Sequence, residues 1–349
     1  MNRRDFIFSS FCAAAILPNC KSSLAATEIT RTYDLDFTGV KDSSDAFQKL
    51  INDAEDQSVK VGNGQQKIGI FLHGVIRLSK QIIIDASKIS IIGPVSLVFS
   101  KGILESEPAI KLKSEGNNGA SYTNCVGAFF DSVNFFSESK VDLFFAENKG
   151  ESSNNPVCLL NISKCRFTGF RRIFSNGDGG WGWSWSQCGF DQCDTLLYLT
   201  AARDTYERFT FYGCIWQNGG IAFYIDNPNG KVYWDLGSFD YCEGIATIKN
   251  GHLSISGHLE YRNRQTPAVR ISGKYSSFLF SNGSVFISSS KDKYILFSQE
   301  NDGLVTLRDI TFVTDNVGLD NTVISDKEYT QSGINFGSSV SDKVMRNKS

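Results

Sequence analysis

Histidine and proline are scarce in this chain, at 3 and 6 residues in 349, and basic residues do not outnumber acidic ones. With 35 Lys and Arg against 37 Asp and Glu, the formal net charge is −2. That leaves no cationic footprint for a phosphate backbone and excludes nucleic acid as a partner. His73, His252 and His258 are scattered, and no cysteine or histidine cluster has zinc spacing, so no metal ligand set emerges. Beyond the N-terminus no run reaches the eighteen or so apolar residues that a membrane span requires. Few prolines beside 31 glycines and 27 phenylalanines suit many short strands joined by tight turns. At 41% apolar the chain buries a substantial core, and its length admits one large domain or two ordinary ones.

The opening, "MNRRDFIFSSFCAAAILPNCKSSLAAT", reads as an export signal over residues 1–25. Arg3 and Arg4 precede an apolar stretch from Phe6 to Leu17, and Ser23 and Ala25 supply small residues at a cleavage site. "NRRDFIF" resembles the twin-arginine signal, which carries folded proteins across a bacterial inner membrane; an ordinary secretory signal is the alternative. The expected destination is the periplasm or the medium. Cys12 and Cys20 fall in this stretch and leave seven cysteines, an odd number at irregular spacing. That pattern describes buried thiols and not a disulfide framework.

The stretch "GDGGWGWSW" (177–185) sets three of the five tryptophans on alternate positions, as a surface sugar platform or a strand interior would. Four blocks decide the matter: "LLNISKCRFTGF" from Leu159, "GWSWSQCGFDQC" from Gly182, "RFTFYGCIWQNG" from Arg208 and "KVYWDLGSFDYC" from Lys231. They register at spacings of 23, 26 and 23 residues without a gap inside any block. Leu160, Trp183, Phe209 and Val232 form one column, and Ile162, Trp185, Phe211 and Trp234 the next. After a bend come Cys165, Cys188, Cys214 and Gly237, then Phe167, Phe190, Trp216 and Phe239. Polar residues alternate with them, so each block buries one face and the tryptophans belong to the core.

A third strand follows in each coil, as in "GIAFYI" (220–225) and "GIATI" (244–248). Repeats of this length with three short strands describe a parallel β-helix, whose coils bury their apolar faces only by stacking. Residues 26–100 are assigned to an N-terminal cap and first coils, 101–325 to further coils, and 326–349 to a polar tail. Within the cap, Ala46, Phe47, Leu50, Ile51 and Ala54 share one helix face, and Asp42, Ser43 and Ser44 offer the N-cap.

"LDFTGVKDSSDAFQKLINDA" followed by "IGIFLHGVIRLSKQIIIDASKISIIGPVSLVF" resembles the opening of the pectate-lyase-like superfamily of polysaccharide lyases, glycosidases and phage tailspikes. The resemblance covers residues 34–100, and the coil pattern extends it to about 325. It implies an all-β, right-handed parallel β-helix with three strands per coil. It is specific for fold and weak for activity, since this scaffold carries several chemistries. The polygalacturonase set "NTD", "DD" and "GHG" and the pectate-lyase "WIDH" and "RxPxxR" are missing, so no catalytic residue carries over.

Candidate chemistry therefore rests on columns. The outward position after the last buried aromatic reads Thr168, Asp191, Gln217, Asp240, and then Glu260 if "GHLE" aligns with "GSFD". Adjacent rungs lie about 5 Å apart and alternate rungs about 10 Å. Asp240 with Glu260 then approximates the carboxylate separation of a retaining glycosidase, and Asp191 with Asp240 that of an inverting one. Stacked solubilising carboxylates are the plainer alternative. Arg203, Asp204 and Glu207 in "AARDTYER", and Tyr261, Arg262 and Arg264 beside Glu260, are candidates for binding an acidic sugar. In a lyase, Tyr261 or an arginine takes the proton α to a uronic carboxyl, with arginine or calcium neutralising that group; His258 is another candidate base.

The expected function is an exported polysaccharide-active enzyme, a glycoside hydrolase or lyase acting along the β-helix side on an extended bacterial or plant glycan, neutral or acidic. The alternative is a non-catalytic accessory protein of exopolysaccharide or capsule export. No cofactor is expected apart from calcium in a lyase. The partner is polysaccharide, and a homotrimer is admissible because trimers are frequent among tailspike-like relatives.

Overall fold

A computed structural model describes residues 33–61, 64–102, 107–115, 125–146, 156–176, 180–200, 208–261, 266–287, 294–314 and 322–336. The expected export signal lies outside the described residues. Among the described residues no helix is long and apolar enough to cross a membrane.

Each coil is a run of three short strands separated by two sharp corners. In one coil these are Leu160–Ser163, Arg166–Thr168 and Arg172–Asn176; in the next, Ser184–Ser186, Gly189–Asp191 and Thr195–Leu199. Each of these strands pairs in parallel with its counterpart one coil on: Ile162 with Trp185, Phe167 with Phe190, Phe174 with Leu197. Farther on, the third strand of one coil runs into the first two of the next as continuous ribbons, Ile221–Asp240 and Gly244–Tyr261. The result is the expected parallel β-helix.

The corners come from residues in left-handed backbone conformation at matching places. Lys164, Gln187, Gly213 and Leu236 make the first corner of successive coils, at φ between 52° and 59°. Gly169, Gln192, Asn218 and Tyr241 make the second, at φ between 51° and 84°. Such a residue turns the chain within a single position, and non-glycine residues hold it here against an intrinsic preference for φ below zero.

The core is an aromatic stack. Trp183, Trp185, Trp216 and Trp234 are fully buried and Trp181 nearly so. Trp185 lies flat on Phe211, with ring centroids 4.5 Å apart and planes 8° from parallel. Phe167 sits between Phe135 at 4.9 Å and Phe190 at 5.0 Å. Identical columns on successive rungs place large rings in van der Waals contact, adding about 0.5–1.5 kcal/mol per pair beyond burial. The tryptophan row is interior packing.

All seven cysteines beyond the N-terminus are buried. Cys165, Cys188 and Cys214 follow the first corner, and each thiol donates to the carbonyl two residues back: Ser163 at 3.2 Å, Ser186 at 3.5 Å and Tyr212 at 3.6 Å. Burial pushes the Cys165 thiol up to about 12. A small, weakly polar side chain suits this inner bend, where a larger one would collide with the rung below.

The cap is the helix Ser44–Gln57, which buries Phe47, Leu50, Ile51 and Ala54 over the first rungs. Its N-cap differs in detail from the simple expectation. The Ser43 hydroxyl accepts from the Asp36 amide, while Asp42 Oδ1 accepts from the Ser44 amide and hydroxyl. At the other end the ladder runs past residue 325. Thr330–Ser332 and Asn335–Phe336 pair with Thr306–Arg308 and Thr311–Phe312.

Candidate functional site

The second-strand face carries the carboxylate column. Thr168 pairs with Asp191, Asp191 with Gln217, Gln217 with Asp240 and Asp240 with Glu260. Asp240 and Glu260 are therefore rung neighbours, and Asp191 and Asp240 stand two rungs apart. Ser238 Oγ donates to Asp240 Oδ2 at 2.8 Å, and Asn218 Nδ2 donates to Asp191 Oδ1 at 3.0 Å. Beyond Glu260 the column turns apolar with Phe286 and Val313. His258 shares this strand, and its Nδ1 lies 2.9 Å from Ser284 Oγ. It borders a shallow depression at the first corner with Leu236, Asn282 and Ser284.

The remaining predicted residues separate from this column. Arg203, Asp204, Glu207, Arg262 and Arg264 lie outside the described residues. Tyr261 closes its strand, in register with Ile287, and nothing is described of its side chain.

A cavity of about 440 Å³ opens at the second corner, between the second- and third-strand faces. Lys140, Asp194, Asn218, Tyr241 and Glu243 border it, and Gly219 and Gly220 form its floor. The register explains the opening. Thr195 pairs back to Arg172, Leu197 pairs forward to Phe223, and Ile221 pairs with Gly244. Asp194, Gly220 and Glu243 thus occupy one column on three successive rungs. Gly220 interrupts the side-chain ladder, leaving a notch between two carboxylates about 10 Å apart at their Cα atoms.

The backbone forbids filling that notch cheaply. The Gly220 amide donates to the Cys193 carbonyl at 2.9 Å, and a Cβ at Gly220 would sit 2.5 Å from the Asp194 carbonyl oxygen. Trp216 Nε1 donates to the Gly220 carbonyl at 3.4 Å, tying the floor to the aromatic core. Lys140 Nζ bridges Asp194 Oδ1 at 2.7 Å and the Gln192 carbonyl at 2.7 Å. Both ion-pair partners are about half exposed, so the bridge orients more than it stabilises. Asn218, which reaches Asp191, links the cavity to the carboxylate column.

The block alignment ends on Phe170, Cys193, Gly219 and Cys242. The notch is the next column, Arg171, Asp194, Gly220, Glu243, and the signal that reveals it is the pair Gly219–Gly220 between two acidic positions.

A second feature missed from the sequence lies on the third-strand face. Tyr198 pairs with Tyr224, and their rings stack at 4.7 Å and 15°. The Arg172 guanidinium covers the other side of Tyr198 at 3.8 Å, and Lys249 Nζ lies 5.2 Å from the Tyr224 centroid. Asp142 holds the arginine pair: Arg171 Nε donates to its Oδ1 at 2.8 Å, and Arg172 Nη1 lies 3.7 Å from its Oδ2. Among the described residues no group of three His, Cys, Asp or Glu gathers as a metal cluster.

The fold is a right-handed parallel β-helix, as in phage tailspike proteins. The enzymatically active domain of tailspike protein 4 from bacteriophage CBA120 superposes with a TM-score of 0.60 at 15% identity. That match covers 85% of this chain and 42% of the tailspike chain, so the chain spans less than half of that relative. The Acinetobacter phage vB_ApiP_P1 tailspike gives 0.47 at 12% identity, over 85% of this chain and 57% of its own. An Azotobacter vinelandii mannuronan C-5 epimerase A-module gives 0.43 at 9%, over 88% and 98%. No protein-family model matches the sequence, and no curated protein matches it.

Proposed function

We propose that this protein is an exported, polysaccharide-cleaving enzyme that acts at the second-corner cavity as an inverting glycoside hydrolase. The observation that carries the reading is the Asp194–Gly220–Glu243 column. Inverting hydrolysis uses two carboxyl groups about 6.5–9.5 Å apart, with room between them for sugar and water. Two rungs with a glycine between them set the Cα atoms about 10 Å apart, from which the two side chains can bring their carboxyl groups to that separation with room between them.

Glu243, with no cation bridging it among the described residues, is assigned as the acid that protonates the leaving oxygen. Asp194, ion-paired to Lys140, is assigned as the base that takes the proton from the attacking water. Water adds to the anomeric carbon as the glycosidic C–O bond breaks, and the leaving oxygen receives the proton from Glu243. Asn218 and Tyr241 are placed to hydrogen-bond sugar hydroxyls at the rim.

A glycan lying across the coils would pass the carboxylate column on one side and the tyrosine stack on the other. Extended ligands suit the long faces of solenoids. The tailspike relative, a protein described as enzymatically active, lends analogy only.

The test is a panel of plant and bacterial polysaccharides, including the source organism's own exopolysaccharide, run with and without calcium. Reducing ends and the ultraviolet absorbance of unsaturated products are followed together. New reducing ends without that absorbance support the hydrolase. Absorbance rising as well would replace it with a lyase. Binding without turnover on every glycan would replace it with the accessory role in polysaccharide export.

A further inference from the structure

From the coil of Asp191 to that of Glu260 the outer faces differ in charge. The second-strand face presents Asp191, Asp240 and Glu260 in register. The third-strand face presents Arg172, Lys249 and, one coil on, Arg270, which pairs with Thr247. Its described carboxylates are engaged: Asp142 with Arg171 and Arg172, and Asp226 with Asn250 Nδ2 at 2.8 Å.

The cations do not hang loose. Arg172, Tyr198, Tyr224 and Lys249 form one stack across four coils, cation, phenol, phenol, cation, about 14 Å from first rung to last. The guanidinium is fixed between Asp142 and the Tyr198 ring, and a side chain already immobilised loses little entropy on binding. The Tyr224 phenol beside Lys249 raises the lysine pKa above its ordinary value. The ring faces are covered by one another and by the cations. A ligand therefore meets ring edges, phenol hydroxyls and positive charge, a surface that does not stack sugars but reads anions.

We propose that the Arg172–Tyr198–Tyr224–Lys249 stack is an anion-reading subsite for a glycan strand lying across the third-strand face. Arg172 and Lys249 take anionic substituents of the strand, and the two phenols hydrogen-bond the hydroxyls between them. This rests on the reading of the chain as polysaccharide-active and names the substrate class as anionic.

The experiment measures retention of alginate (carboxylate), dextran sulfate (sulfate) and unmodified dextran (neutral) by the full chain at low and raised salt. It compares the parent, Glu243→Gln, Arg172→Gln/Lys249→Gln, Lys249→Gln alone and Tyr198→Phe. The expected result is that the parent and Glu243→Gln each retain alginate or dextran sulfate above dextran, and less so at raised salt. The double variant loses about tenfold or more, as for two charge-assisted contacts removed. Which anion is held more tightly tells carboxylate from sulfate recognition.

Lys249→Gln, at the exposed end of the stack, provides the same reading if the double variant fails to fold, and Tyr198→Phe keeps the stack while removing one hydroxyl. Equal retention of charged and neutral polymers, no retention of either polyanion, or an Arg172→Gln/Lys249→Gln variant that folds and binds like the parent would overturn the proposal. Because Glu243→Gln reports binding without turnover, loss of the hydrolase reading and loss of this one are told apart.

Discussion

Asp194 and Glu243 stand in one column of the β-helix with Gly220 on the rung between them, and both border the same cavity. A solenoid repeats side-chain positions, so two acidic residues two rungs apart are common. A glycine separating them at a corner converts a ladder into a notch. Backbone geometry maintains it, since Gly220 is packed against the Asp194 carbonyl and tied to Trp216.

Replacing Gly220 by alanine places a methyl group 2.5 Å from the Asp194 carbonyl oxygen. The rung must shift, at a cost of about 1–3 kcal/mol for an overpacked site. Urea unfolding should show the midpoint falling with an unchanged slope. A variant as stable as the parent would mean the notch is not closed by backbone contact.

The aromatic core makes a sharper prediction. Trp185 is fully buried on Phe211, and its indole nitrogen has no hydrogen-bond partner among the described residues. Trp185→Ala should cost about 3–5 kcal/mol through the cavity it leaves. Trp185→Phe keeps a ring on Phe211 and removes a buried N–H that gains nothing, so it should cost much less. Chemical denaturation of both variants gives the comparison. Equal losses would mean that the indole, and not the stacked ring, is what the position needs.

The fold was legible because burial repeats. Trp183 and Trp185 share columns with Leu160 and Ile162, and an interior position must be apolar on every rung or the stack fails. The pairing of Glu260 with Asp240 follows from the same columns, carried across a shorter coil. The corner cavity was not legible in that way. Asp194 and Glu243 lie one position past the last shared column, where glycine replaces a side chain and no apolar repeat marks the rung. Nor did the tyrosine stack announce itself: its column reads Ser175, Tyr198, Tyr224, Thr247, so only two rungs carry a ring and no apolar repeat marks the position.

Acid stability follows from Asp36, whose carboxylate receives the amides of Thr38, Val40 and Lys41 and the Thr38 hydroxyl at 2.6–2.9 Å. These bonds, that from the Lys41 amide first, hold its pKa far below the ordinary carboxylate value. The folded state then binds fewer protons than the unfolded state in the interval below about 3.9, the unfolded value. The contribution is complete above that pH and is lost as pH falls toward the folded value. Melting temperatures measured from pH 6 to about pH 2.5 should fall more steeply for the parent than for Asp36→Asn. Parallel curves would contradict the assignment.

The central claim is that one cavity cleaves the glycan, and one comparison tests it most directly. On a polysaccharide that the parent degrades, turnover is measured for Glu243→Gln, for Asp194→Asn, and for Asp240→Asn combined with Glu260→Gln. Each single change at the cavity should lower the rate about 10²–10⁴-fold, as removal of a general acid or base does, with the melting temperature unchanged. The double variant on the second-strand face should retain most of the activity. If it abolishes turnover while the cavity variants leave turnover intact, catalysis belongs to the carboxylate column and the account of the notch is wrong.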